Sequence, residues 1–82
     1  MKNLVEFDDL PLAAYLHLQG FRIVKIRTKK NKQGWGVFAF PHENGIDRSV
    51  AGFYANQALV EPRAYILKIR NLKDLVREVA ER

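Results

Sequence analysis

The chain has 82 residues, length for one domain at most, here taken as residues 1–82 around one core. It has no cysteine, which excludes disulfides, thiolate zinc sites, iron–sulfur clusters and thiol nucleophiles together. Lys and Arg total 14 against 9 Asp and Glu, a net charge of +5, and the excess is clustered: Arg22 to Lys32 holds six cations and no acid, leaving −1 for the rest.

Near the start, Leu4, Val5 and Phe7 suffice for a short edge strand. Glu6, Asp8 and Asp9 do not fit a signal peptide, and the apolar runs are far shorter than a membrane span. A cytoplasmic protein without membrane contact is expected. Asp8-Asp9 supplies helix N-cap chemistry, with Pro11 near the first helical position. Leu10, Leu12, Leu16 and Leu18, with Ala13 and Ala14, make the stretch to Gln19 apolar around most of its circumference, which predicts a buried helix. Gly20 suits a left-handed C-cap, with Phe21 closing over the last turn.

Phe21–Thr28 and Trp35–Phe40 are rich in β-branched and aromatic residues, and the polar stretch Lys29–Gly34 between them predicts a hairpin. Pro41 ends the second strand. After the turn Glu43-Asn44-Gly45, Asp47 is expected to cap a helix through Val50, Phe53 and Tyr54 and on to Gln57 or Ala58. Leu59-Val60-Glu61 reads as an extended link into Pro62, and a long helix runs from Arg63 to Glu81. Its Tyr65, Ile69, Leu72, Val76 and Val79 recur at intervals of 4, 3, 4 and 3 as one apolar stripe. Arg70 with Asp74, and Glu78 with Arg82, stand at pairing distance, so the opposite face is expected to neutralise itself. The fold class is α+β in two layers: a hairpin and a short N-terminal edge strand against three helices, in the order β-α-β-β-α-α.

Asp9-Leu10-Pro11-Leu12-Ala13-Ala14-Tyr15-Leu16, Gly20-Phe21, Phe38-Ala39-Phe40, Ala58 to Tyr65 and Leu72-Lys73-Asp74-Leu75 together resemble a family of short uncharacterised bacterial and phage proteins, a domain of unknown function. The resemblance covers most of the chain. It implies a phage or mobile-element setting, and with it nucleic-acid or host-factor partners, but no activity and no catalytic residue.

The hairpin carries the functional signal. With Thr28 opposite Gly34, Arg27 faces Trp35, Lys25 faces Val37 and Ile23 faces Ala39. Val24, Ile26, Phe38 and Phe40 then take the core face, with Arg22 at the far end. Lys25 and Arg27 would surround an exposed Trp35, giving cations for phosphates and a plate for base stacking. Trp35 in the core, or in a dimer contact, is the competing placement. Gly34-Trp35-Gly36 is explained by a hairpin bend. His17 and His42 have no metal-ligand spacing, and Ser49 is the only serine, so neither a metal, a cofactor nor an enzyme is expected.

The expected function is that of a small non-enzymatic nucleic-acid-binding accessory protein. Arg22, Lys25, Arg27, Lys29, Lys30, Lys32 and Trp35 form the contact, largely independent of sequence. The alternative is a protein-interaction module, homodimeric in one form, that binds an acidic host or phage protein through the same surface.

Overall fold

The computed structural model describes residues 3–29 and 32–81, and the side chains of these except at 32–34. Its elements are β1 (Leu4–Phe7), α1 (Leu10–Leu18), β2 (Lys25–Lys29), β3 (Lys32–Pro41), α2 (Ile46–Tyr54) and α3 (Pro62–Ala80). This is the expected α+β order. The three strands form one antiparallel sheet in the order β1-β3-β2, so the longest strand is central and the N-terminal strand lies on the edge opposite β2.

Local chemistry sets the helix limits. Asp9 accepts a hydrogen bond from the Leu12 N–H at 3.1 Å and Pro11 lies in the first turn. At the other end Gly20 adopts φ +102°, with Gly20 N–H bonded to His17 O and Phe21 N–H to Leu16 O. Those two bonds satisfy carbonyls that the helix leaves open. Helix α3 begins the same way: Pro62 opens it, and the Glu61 carboxylate accepts from Ala64 N–H. Helix α2 departs from expectation. Its N-cap is Gly45 at φ +94°, and Asp47 lies inside the first turn, where it shares a hydrogen bond with His42 Nε2 at 2.9 Å. The Asn44-Gly45 turn reaches helical geometry two residues earlier than an Asp47 cap would allow, and the helix ends at Tyr54, short of the expected Gln57 or Ala58.

Leu12 to Leu16 are all buried, as an all-round apolar helix requires, and they meet Phe38, Phe40, Ile46, Leu72 and Val76 in the core. Tyr65 and Ile69 of the α3 stripe pack against this cluster, together with Val5, Phe7 and Ile26 from the sheet. The other face of the sheet points away from it: Val37 and Ala39 are buried yet lie outside the core cluster.

The hairpin register differs from the expected one by two residues. Lys25 pairs with Ala39, Ile26 with Phe38, Arg27 with Val37 and Thr28 with Gly36, after which Lys29 pairs with Lys32. Gln33, Gly34 and Trp35 therefore bulge from β3 at the Thr28/Lys29 step. A bulge adds residues to one strand without a partner on the other and turns the local side chains. Because the shift is even, each strand residue keeps its expected face. Val24 does not: β2 starts only at Lys25, and before it the alternation lapses, so Val24 is 41% exposed while Ile23 packs on the core.

Gly36 marks how closely α3 approaches the sheet. A Cβ there would collide with the Val76 side chain and press on the Phe38 ring at 3.2 Å. Glycine is thus required at this position by packing, on the same face as Phe38.

Candidate binding surface around Trp35

The face of the sheet away from the core presents Lys25 and Arg27 from β2, as expected, but it also presents Glu6 of β1, with Asp8 just beyond that strand. Arg27 donates from Nε to Glu6 at 3.1 Å and from Nη2 to Glu6 at 3.2 Å. Lys29 donates to the Asp8 carboxylate. Glu6 and Arg27 lie on strands that flank β3, so the ion pair spans the central strand above Val37 and Ala39. The Arg27 hydrogen bond holds the Glu6 carboxyl below its usual range, and the Lys29 hydrogen bond does the same for Asp8. Arg27 is held all the more firmly protonated in return.

These shifts fix a sign for acid stability. A carboxylate with a depressed folded-state pKa stabilises the protein above its unfolded pKa, and that contribution disappears as pH falls through the folded value. A Glu6→Gln/Asp8→Asn variant should therefore unfold at lower urea concentration than the parent at pH 7. The gap should narrow at acidic pH, below the ordinary carboxylate range, as the parent carboxylates also take up protons. A gap of equal size at both pH values would show that the two pairs contribute nothing through charge.

Trp35 occupies the end of this face and is 45% exposed. Lys29 Nζ stands 5.9 Å from its ring centroid, within cation–π range, and the indole N–H hydrogen-bonds to Asp8. The bulge re-aims the ring past the sheet end, where it forms one wall of a groove of about 570 Å³. Asp8, Asp9, Leu10 and Pro11 from the start of α1, and Lys73 and Val76 from α3, complete the lining. The apolar floor comes from Leu10, Pro11 and Val76, and the charges stand around it.

The start of α1 is held from two sides. Asp9 accepts from Leu12 N–H and from Tyr54 Oη at 2.8 Å, and the Pro11 carbonyl accepts from Tyr65 Oη at 3.0 Å. The hydrogen bond to Asp9 raises the Tyr54 pKa; burial, and then the Asp9 charge, raise that of Tyr65. Tyr54 and Tyr65, which the sequence places on helices, thus also anchor one wall of the groove.

Across residues 2–78 the chain matches the family model for a domain of unknown function, DUF5659. The chain belongs to this family. The match bears out the expected membership of an uncharacterised family. No curated protein and no solved structure matches the chain.

Of the expected contact residues, this DUF5659 domain brings Lys25, Arg27, Lys29 and Trp35 onto one face, with Arg27 and Lys29 tied to acids. Arg22 is exposed and precedes β2. Lys30 lies outside the described residues, and of Lys32 only the backbone is described. Two features escaped sequence reasoning: the acids Glu6 and Asp8 opposite the β2 cations, and Lys73 from α3. The expected Arg70–Asp74 ion pair does not form. The ion pairs among the described residues are Arg27–Glu6, Lys29–Asp8 and His42–Asp47. The Glu78–Arg82 pair falls on a residue outside the described set. Among the described residues no three His, Cys, Asp or Glu are grouped to hold a metal ion, and no helix is long and apolar enough to cross a membrane.

Proposed function

We propose that this chain is a non-enzymatic binding module that takes single-stranded nucleic acid at the Trp35 end of the sheet, in the phage or mobile-element setting that the family resemblance implies. The observation that carries the reading is Trp35 itself: half exposed, beside an apolar groove, with Lys29 and Lys73 close by. An unstacked base gains contact area on such a ring, and the cations face its phosphates. A duplex offers no free base face to the ring, which favours a single strand over a double one. Because Arg27 and Lys29 are already paired, their charge is partly spent within the sheet, and Lys25 and Lys73 carry more of the contact than composition implies.

Trp35 is the only tryptophan, so its emission reports directly on the groove. Titration with single-stranded DNA or RNA should quench it, and raising the salt should reverse the quenching; duplexes should act more weakly. Silence with every nucleic acid at low salt would end this reading.

A second reading rests on a different observation. Leu59 is 87% exposed, and Leu67 and Leu75 of α3 are also exposed, off the core stripe. Exposed leucines of this kind suit a protein partner or a second copy, for which the basic surface would select acidic partners. Elution as a dimer, together with silent Trp35 emission, would favour it.

A further inference from the structure

Helix α3 carries a second stripe beside its core stripe. Arg63, Ile66, Arg70, Lys73 and Arg77 follow one another at intervals of 3, 4, 3 and 4. Residues three and four apart are neighbours on a helix surface, so these five form a continuous row. At 1.5 Å per residue the row spans about 21 Å. Its four cations are exposed, and none of them is ion-paired among the described residues. Asp74, one step further round the helix, stays beyond ion-pair distance of Arg70. The apolar member, Ile66, is 50% exposed. Lys73 belongs both to the row and to the groove wall, so the row runs directly into the space beside Trp35.

This arrangement is unfavourable for the helix alone. Like charges at three- and four-residue spacing repel, and the acids that would relieve Arg70 and Arg77 stand at neighbouring positions without pairing. A polyanion laid along the row removes that repulsion. The hairpin lacks this property, since its Arg27 and Lys29 already have acidic partners.

We propose that the α3 row is the track for the nucleic-acid backbone. The strand's phosphates lie along Arg63, Arg70, Lys73 and Arg77, a sugar edge lies on Ile66, and one base enters the groove against Trp35. This rests on the nucleic-acid reading above and changes which element carries the charge: α3 rather than the hairpin. The partner is a single strand a few nucleotides long, because only a flexible backbone follows the row and also delivers an unstacked base to Trp35.

The test is the salt dependence of oligothymidylate binding to the full chain, followed by anisotropy of a labelled oligonucleotide. Arg63→Gln/Arg70→Gln/Arg77→Gln should bind about 100-fold more weakly at 0.1 M salt, with a log–log slope shallower by about 2. The Arg→Lys triple variant, which keeps the charges, should retain the parental slope. Far-ultraviolet circular dichroism should match the parent for both, since all three side chains are exposed. An unchanged slope in the glutamine variant, with binding still sensitive to Trp35→Ala, would overturn the row and leave the Trp35 site standing. Equal loss in the lysine variant would also overturn it, as would binding of polyglutamate with the same affinity and slope. Absence of salt-dependent binding by the parent would overturn both the row and the nucleic-acid reading.

Discussion

Phe40→Ala is expected to destabilise the fold by about 3–5 kcal/mol, the range for removing a fully buried phenylalanine ring. Phe40 has no exposed surface, pairs with Val5 across the β1–β3 ladder and stands 6.0 Å from the Phe7 ring. It joins the edge strand to the core, so truncation leaves a cavity where β1 and α1 meet β3. A chain of 82 residues has a total stability of about 4–12 kcal/mol, so the loss is a large share of the whole. Thermal unfolding followed by circular dichroism should show a midpoint at least about 12 °C lower. Phe40→Leu, which refills most of the volume, should recover most of that fall. A drop of a few degrees in the alanine variant would mean that β1 and the Phe7 ring close over the gap, and that the core is more plastic than its burial implies.

Helices α1 and α3 were legible in the sequence because their signals are local. Gly20 marks the end of α1, Pro62 the start of α3, and the Tyr65-to-Val79 stripe the buried face of that helix. The hairpin faces were legible for the same reason, since period-two alternation survives a shift of two residues. Its register was not. The bulge of Gln33, Gly34 and Trp35 lies next to Gly36, where the Val76 side chain of α3 leaves no room for a Cβ, and a strand pattern holds no trace of either.

The candidate surface was legible in half. Trp35 and the β2 cations could be placed on one face, but their partners depend on the strand order β1-β3-β2, which brings residues 21 positions apart together. A trace existed all the same: Glu6 and Asp8 alternate with the same period as Arg27 and Lys29, the pattern of opposite charges on one sheet face. The Arg63-to-Arg77 row was equally available as a 3-4-3-4 spacing. It was obscured because Arg70 and Asp74 have the spacing of an ion pair, and spacing alone does not decide whether two exposed side chains meet.

Trp35→Ala is expected to weaken single-strand binding by about 5- to 150-fold, equivalent to the roughly 1–3 kcal/mol of one stacked base. The ring is half exposed and stands outside the buried core cluster, so the variant should keep its fold. Three measurements separate its roles. Anisotropy of a labelled oligonucleotide gives the affinity, its salt slope counts the phosphate contacts, and a sizing column gives the oligomeric state. Stacking predicts lower affinity, a salt slope close to the parent's and unchanged elution, because the cations of α3 remain in place. Trp35→Phe keeps a ring but loses the indole N–H that binds Asp8, so it should retain most of the affinity if the ring face is what matters. If phenylalanine fails as badly as alanine, the hydrogen bond that holds Asp8 and Lys29 in place is the active feature, and the groove acts through its charge geometry. If affinity is unchanged and elution shifts instead, the ring belongs to a contact between copies, and the exposed leucines of α3 become the surface to truncate next.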